Sequence, residues 1–383
     1  MASGIDMDTE TAPRRLRGCR IVTTSLTARV LLANQLRSLP ELDWTVVSGD
    51  RYDDPVEGVT VEVIPIRREF ALSDLGSFAR LWRYLRGQRF DIVQTHTPKA
   101  SFLGLPAARL AGGAAVYTIH GALYFEGNGR LANLLGWCFE RWCCTWATCV
   151  LVQSREDESV LPRAGICSRR KLRYVGNGIV MDRFLAAVEP ELHDELPIVM
   201  MFSRLVREKG CADFLELARR LQGRATFVHV GPFEHDQSDA LSEEEVALAT
   251  AAGTVRFIGG VEDVRPYVAS AAVLVLPSYR EGIPRAAMEA AAMGRPVAAY
   301  DIRGVREVID PQLGLLAPRG DVGALTRIVG DLLEDPDRLA DLGKQCREWV
   351  TERFSEDRVI ARLRSVYRDL PAATVPKGAG RAG

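Results

Sequence analysis

Short apolar runs recur along this chain, each followed by a polar turn and then by a longer segment with apolar positions three and four apart. Runs that short suit strands buried on both faces, and the longer period suits amphipathic helices. In the first half the pattern predicts strands at 20–24, 45–48, 59–64, 91–95, 115–119, 150–153 and 171–175. Helices are predicted between them over 26–39 (capped by Ser25 or Thr27), 73–87, 101–110 and 129–146, with another from Arg155 capped by Ser154. Residues 182–196 break the rhythm, and Pro190 and Pro197 with several acids between them mark a linker. The rhythm then restarts. Strands are predicted at 198–203, 226–230, 255–258, 273–276, 297–300 and 314–316, and helices at 211–221, 242–252, 263–270, 285–293, 321–333, 336–353 and 355–367.

Strand and helix alternating in this way predict α/β architecture, with parallel sheets covered by helices on both faces. We expect two doubly wound, Rossmann-like domains with strand carboxyl ends facing a central cleft. The expected boundaries are a disordered tail over 1–16, a first domain over 17–182 and a second over 183–354. A C-terminal helix over 355–370 is expected to return to the first domain, followed by a mobile tail over 371–383.

Residues 273–296 carry the densest signal. The apolar run Val273–Leu276 leads into a turn with Pro277, Ser278 and Gly282, and an alanine-rich helix starts near Pro284, which suits a first helical turn. It ends at Gly294 with Pro296 beyond. Such a loop lies where open α/β sheets bind ligands, and the helix start offers unpaired N–H groups to a phosphate. Glu281 sits in the loop, and Glu289 sits among alanines, where it either faces solvent or holds a ligand hydroxyl. The second half opens with Ser203-Arg204-Leu205-Val206-Arg207-Glu208-Lys209-Gly210. Arg204 and Lys209 suit a pyrophosphate, one as a planar fork and the other as a point charge. Alone, that segment reads first as a solvated charged turn; with the loop Ser278–Glu289 in the same sheet, the phosphate reading is the better one.

Composition narrows the classes. A net charge of −1 over 383 residues argues against a dedicated nucleic-acid binder. No apolar run is long enough to span a bilayer, and the polar first fifteen residues lack the apolar core of a secretory signal. A cytoplasmic protein is therefore expected. The eight cysteines form no zinc-like or redox Cys-x-x-Cys pair, so they read as reduced core thiols. No metal-ligand spacing and no Asp-x-Asp signature appear, so neither metal nor cofactor is expected.

His120 follows a buried-looking strand and precedes Gly121, a placement that favours function over a structural histidine. His96 is balanced between the two, His229 reads as core, and His193 and His235 read as exposed. In the helix 73–87, Leu75, Phe78, Trp82 and Leu85 share one face and Arg80 and Arg83 lie opposite. The helix 129–146 carries Trp137, Phe139, Trp142 and Trp146. Basic residues beside aromatics suit anionic headgroups, so peripheral membrane contact through the first domain is one reading. Packing on the first sheet is the other.

Glu281 and Glu289 reproduce the spacing of the Glu-x7-Glu motif, and the chain resembles retaining glycosyltransferases of the GT-B type, family 4. Ser203–Gly210 is similar to the family's segment ending Lys-Gly, Val255–Gly259 to its Val-x-Phe-x-Gly strand, and Pro277–Pro284 to its Pro-Ser-x-x-Glu-Gly-Phe-Pro loop. Asp301–Glu307 is similar to its Gly-x-x-Glu loop. Within the family, His96-Thr97-Pro98-Lys99-Ala100 and Thr118-Ile119-His120-Gly121 resemble bacterial hexosaminyltransferases that extend lipid-linked oligosaccharides. The resemblance implies that Arg204 and Lys209 bind the donor's diphosphate, with Ser203, Ser278 and the backbone around Gly282, Ile283 and Pro284. Glu281 would contact the transferred sugar, Glu289 the ribose, and Phe257 and Ile258 the base. His120 would sit near the reacting sugar, and His96 and Lys99 near an anionic acceptor. Many members carry a Gly-Gly loop after the first strand; here Thr23-Thr24-Ser25-Leu26-Thr27 has no glycine.

The implied activity is transfer of a hexose or N-acetylhexosamine from a UDP-sugar to a polyprenyl-diphosphate-linked or related glycan, at the inner face of the membrane. Rivals on the same fold are a glycosyltransferase for a soluble natural product, a UDP-sugar 2-epimerase and a non-catalytic UDP-sugar-binding protein.

Overall fold

The computed structural model describes residues 15–67, 70–125, 127–233 and 239–370; the expected terminal tails, all but Arg15 and Leu16, and His235 lie outside them. The strands are β1 (Leu16–Val22), β2 (Leu42–Ser48), β3 (Thr60–Val63), β4 (Ile92–Thr95), β5 (Ala114–Ile119), β6 (Cys149–Val152) and β7 (Leu172–Tyr174). They form one sheet in the order β3-β2-β1-β4-β5-β6-β7. A second sheet contains β8 (Ile198–Phe202), β9 (Thr226–Val230), β10 (Arg256–Gly259), β11 (Val273–Leu276), β12 (Val297–Asp301) and β13 (Leu316–Pro318), ordered β10-β9-β8-β11-β12-β13. Pairing is parallel around both β1 and β8. Chain contacts group the described residues into two compact units. One holds the chain up to Thr118 with Arg141–Val150 and the segment from Arg364; the other holds Ile119–Glu140 and Leu151–Leu363.

In the second sheet the chain moves outward from β8 through β9 to β10, then returns to the other side of β8 with β11. The reversal leaves a crevice at the carboxyl ends of β8 and β11, the place where open sheets bind ligands. The strands are apolar enough to be buried on both faces. Val199, Met200 and Met201 of β8 and Val273, Leu274 and Val275 of β11 have no accessible surface. His229 on β9 is 1% exposed and packs in this core, as its mid-strand position implies.

The first unit is centred on Arg20, which is fully buried. Its guanidinium lies 4.6 Å from the Trp44 ring and donates to Gln35 Oε1 (3.0 Å) and the Tyr367 hydroxyl (3.3 Å). Tyr367 donates to Gln94 Oε1, and Gln94 Nε2 donates to Thr118 Oγ1 at 2.8 Å. These hydrogen bonds and the stacking on Trp44 are what make so polar a core tolerable, although Arg20 Nε is buried without a hydrogen-bond partner among the described residues.

Several elements depart from expectation. The helix predicted over 26–39 is broken by a π-helical stretch, Ala28–Leu32, between α-helices Ser25–Thr27 and Ala33–Arg37. Its N-cap is Thr24, and neither Ser25 nor Thr27 caps it. The next helix is Asp74–Gln88, and it buries Leu81 and Leu85 while Leu75 is 75% exposed. Ten residues at about 100° each carry Leu75 some 80° around from Leu85, out of the buried stripe. The helix predicted from 101 starts at Pro98 and runs to Ala111, with Pro98 at the favoured first position. Seven of the eight cysteines are buried, whereas Cys138 is exposed and is not a core thiol. Among the described residues no helix is long and apolar enough to cross a membrane.

Candidate active site

Two loops at the carboxyl ends of β8 and β11 build the site. The first leaves β8 at Ser203, whose amide donates to Val230 O (3.2 Å) and whose hydroxyl turns back to Arg204 O (2.9 Å) and lies 3.4 Å from His229 Nε2. Arg204 is half-buried. A turn of 3-10 helix, Arg207–Lys209, then ends at Gly210 with φ +77°. A side chain at Gly210 would put its Cβ 1.9 Å from Pro277 O, so only glycine allows the two loops to lie this close.

The β11 loop is fastened from several sides. Ser278 is fully buried, and its hydroxyl donates to Glu281 Oε1 at 2.8 Å. Lys209 Nζ donates to the same oxygen, also at 2.8 Å. The pair is mostly sheltered, with Lys209 at 21% and Glu281 at 11% side-chain exposure. Tyr279 N donates to Glu208 O (2.9 Å), and Arg280 pairs with the Glu208 carboxylate. The hydroxyls of Tyr279 and Tyr300 both donate to Asp213 Oδ2 at 2.7 Å. Burial, and then this bond to a carboxylate, push the Tyr279 phenol up to about 12, so it donates at any ordinary pH. Sheltered, prepositioned charge of this kind acts strongly on charge developing in a bound ligand.

His120 and Gly121 lie against the same loop. A Cβ on Gly282 would fall 1.8 Å from His120 O, and one on Gly304 would fall 1.5 Å from Gly282 O. At these glycines the three segments meet backbone to backbone. His120 is half-buried, and burial lowers its pKa to about 4 although a hydrogen bond with Gln153 opposes the shift. The imidazole is therefore neutral near pH 7.

Pro284 is the N-cap residue of the helix Arg285–Ala292 rather than part of its first turn. Asn177 Nδ2 donates to Ile283 O (3.2 Å), and Arg285 Nη1 donates to Gly178 O (3.3 Å). Glu289 lies 3.5 Å from Arg285 and keeps only 17% side-chain exposure. Burial raises its pKa against the pull of Arg285. Phe257 and Ile258 lie on β10 at the sheet's edge, both half-buried. Thus Ser203, Arg204, Lys209, Ser278, Glu281, Gly282 and Ile283 gather at the loops of β8 and β11.

His96 and Lys99 belong to the other unit. His96 is 5% exposed at the end of β4. Lys99, predicted to meet an anionic acceptor, is 4% exposed; its ammonium pairs with Asp74 and lies 3.9 Å from the centre of the Phe70 ring. It occupies the first turn of Pro98–Ala111, and that earlier helix start is what carries it inward. Among the described residues no three His, Cys, Asp or Glu side chains gather to hold a metal.

A pocket of about 610 Å³ opens beside Glu281 within the second unit. Tyr124, Phe125 and Tyr279 give it aromatic walls, and Arg163, Arg280, Arg303, Arg306 and Arg319 give it positive charge. Arg303 holds one side in place by donating to Ala122 O (3.0 Å) and Tyr124 O (2.9 Å) while pairing with buried Asp157 at 3.3 Å. Sequence reasoning missed Asp213, Arg280 and Arg303. For the two arginines a signal was present: both flank or lie in the quoted loops Pro277–Pro284 and Asp301–Glu307.

Two parallel sheets with loops of this kind define a GT-B glycosyltransferase. Residues 29–183 match the family described as Glycosyltransferase Family 4, and residues 196–335 match the family described as Glycosyl transferases group 1. The chain belongs to these glycosyltransferases and is a transferase enzyme. It is similar to the UDP-Gal:alpha-D-GlcNAc-diphosphoundecaprenol alpha-1,3-galactosyltransferase of Escherichia coli, 25% identical over 347 residues, which cover 84% of this chain and 86% of the relative. It is also similar to the 2-deoxystreptamine N-acetyl-D-glucosaminyltransferase of Streptomyces fradiae, 37% identical over 150 residues, 37% of this chain and 35% of that one. Among solved structures, HepE of Anabaena in complex with UDP and glucose shares the fold with a TM-score of 0.76 at 19% identity, covering 93% of this chain and 100% of that one.

Proposed function

We propose that this glycosyltransferase moves a hexose or N-acetylhexosamine, with retention of configuration, from a UDP-sugar to a polyprenyl-diphosphate-linked glycan. The observation that carries the reading is the Lys209–Glu281–Ser278 cluster at the carboxyl ends of β8 and β11. Lys209 and Arg204 balance the diphosphate as the bond between the sugar C1 and the β-phosphate oxygen breaks. The acceptor hydroxyl forms the new bond to C1, and its proton passes to the departing phosphate. Electrostatic stabilisation of that leaving group is where the loop cations act. Glu281 holds the sugar's hydroxyls and Glu289 the ribose. They are ligand holders rather than the nucleophile and acid of a glycosidase. His120, neutral at pH 7, donates or accepts a hydrogen bond at the transferred sugar.

The Escherichia coli relative is named for a UDP-Gal donor and a diphosphoundecaprenol-linked acceptor, and HepE is seen in complex with UDP and glucose; both support the choice. Transfer to a soluble amine such as 2-deoxystreptamine is the second reading, favoured by the Streptomyces fradiae relative. The arginines beside Glu281 weigh against it, because like charge repels a cationic acceptor. A screen of nucleotide-sugars by UDP release, with and without a polyprenyl-diphosphate sugar, tests the proposal. Release stimulated by that acceptor supports it. Release stimulated only by a soluble amine removes it, and turnover of donor alone to an isomer makes the protein an epimerase.

A further inference from the structure

We propose that the pocket beside Glu281 is a built site for the acceptor's diphosphate, with Arg163 and Arg319 as its charge partners. This rests on the reading of the acceptor as diphosphate-linked.

The charge balance of the pocket points there. Of its five arginines, three are already held: Arg280 by Glu208, Arg303 by Asp157, and Arg306 by Glu156 and Asp301. Of its three acids, Glu281 is held by Lys209, while Glu156 and Asp301 share Arg306. Arg163 and Arg319 make no ion pair among the described residues, though both line the same cavity. Two guanidiniums with no ion pair among the described residues thus face one cavity, and guanidinium suits phosphate by its planar donor fork.

Arg319 is also positioned. Its guanidinium lies 5.3 Å from the centre of the Tyr279 ring. Gly127 makes room for it, since a Cβ there would come within 1.8 Å of Arg319 Nη1. The walls suit the sugar next to the diphosphate. Phe125 offers an aromatic face, with Arg280 and Arg303 at 5.9 and 6.0 Å from its centre. Glu281 borders both this pocket and the cluster with Lys209. A sugar seated against Phe125 therefore presents its hydroxyl toward Glu281 and its diphosphate toward Arg163 and Arg319. A cavity of about 610 Å³ accommodates both groups.

The test uses the full chain and the double variant Arg163→Gln/Arg319→Gln. Both arginines are exposed, and neither supports the core. Inorganic pyrophosphate is titrated calorimetrically into protein saturated with UDP, so that the donor site is filled. The wild type is expected to bind one pyrophosphate, the double variant at least tenfold more weakly, and both are expected to bind UDP equally. No binding in the presence of UDP, or equal binding by the variant, overturns the assignment. A kinetic split separates a site from a general charge effect. KM for a sugar-diphosphate lipid rises at least tenfold with kcat within twofold, while KM for the same sugar on a phosphate-free alkyl chain stays unchanged. An equal rise for both acceptors overturns the proposal. If no acceptor of any kind stimulates UDP release by the wild type, the transferase reading fails, and the pyrophosphate titration still decides the pocket.

Discussion

Lys209 Nζ and Glu281 Oε1 meet at 2.8 Å, joining residues 72 positions apart in the sequence. The contact ties the loop after β8 to the loop after β11, on the two strands that flank the reversal of chain direction in the second sheet. Each side chain holds the other in place, and Ser278 fixes the shared oxygen from below. Lys209→Ala and Glu281→Ala are each expected to lower kcat/KM by about 10²- to 10³-fold, the scale seen when one prepositioned electrostatic group is removed. The pair is mostly sheltered, so removing one partner leaves the other unpaired and is expected to cost about 1–3 kcal/mol with the fold retained. Transfer assays and thermal melts of the same preparations check both halves, and normal activity in either variant removes the site assignment.

The backbone contacts behind this pair predict a sharper stability effect. Gly304→Ala places a methyl group 1.5 Å from Gly282 O at φ +80°. It is expected to cost more than about 2 kcal/mol and to disturb the Glu281 loop. Gly253→Ala, at φ +64° with nothing within 4 Å, is the control and carries only the backbone cost of about 1–2 kcal/mol. Similar melting temperatures for the two variants would contradict the close approach.

Much of this was legible beforehand. The strands β9 and β11 run from Thr226 to Val230 and from Val273 to Leu276, as their apolar runs indicate, because a strand buried on both faces has little freedom in where it can begin or end. The loops after β8 and β11 were legible because a charged or glycine-rich turn between an apolar run and a helix has few other uses. What escaped was assembled in space. The burial of Lys99 depends on Asp74 and Phe70, neither of which its own segment specifies. Asp213, which anchors Tyr279 and Tyr300, looks in sequence like an ordinary acid in a helix's first turn. The arginine pocket draws residues from positions 124 to 319, and no local pattern announces it. The π-helical break at Ala28–Leu32 leaves no periodicity signal in so short a helix.

Stability should depend on pH through two histidines. Burial holds both His120 and His229 at about 4, below the ordinary value of 6.5. Between those values the unfolded chain binds protons that the folded chain does not, so stability rises with pH across this window and is fully present above about 6.5. A fall in unfolding free energy from pH 6.5 toward pH 4 is expected. His229→Asn is expected to flatten that slope while lowering stability overall. Because His120 stays neutral, no limb of the pH–rate profile between 6 and 8 should disappear in His120→Asn; loss of such a limb would show that His120 titrates there.

The buried network around Arg20 gives a prediction independent of the site. Tyr367→Phe removes the hydroxyl that bridges Arg20 and Gln94, leaving both with an unmet hydrogen bond in a closed core. The expected cost is about 1–3 kcal/mol. UDP affinity should be unchanged, since no donor-site role falls on this residue. Denaturant unfolding measures the cost, and a variant as stable as wild type would contradict the network.

The central claim is that the loops of β8 and β11 hold a nucleotide diphosphate through Arg204 and Lys209. Calorimetric titration of UDP into the wild type and into Arg204→Ala/Lys209→Ala tests it most directly. The account predicts one UDP bound by the wild type and at least 100-fold weaker binding by the double variant, with both proteins folded. No UDP binding by the wild type, or equal affinity in the two, would contradict it.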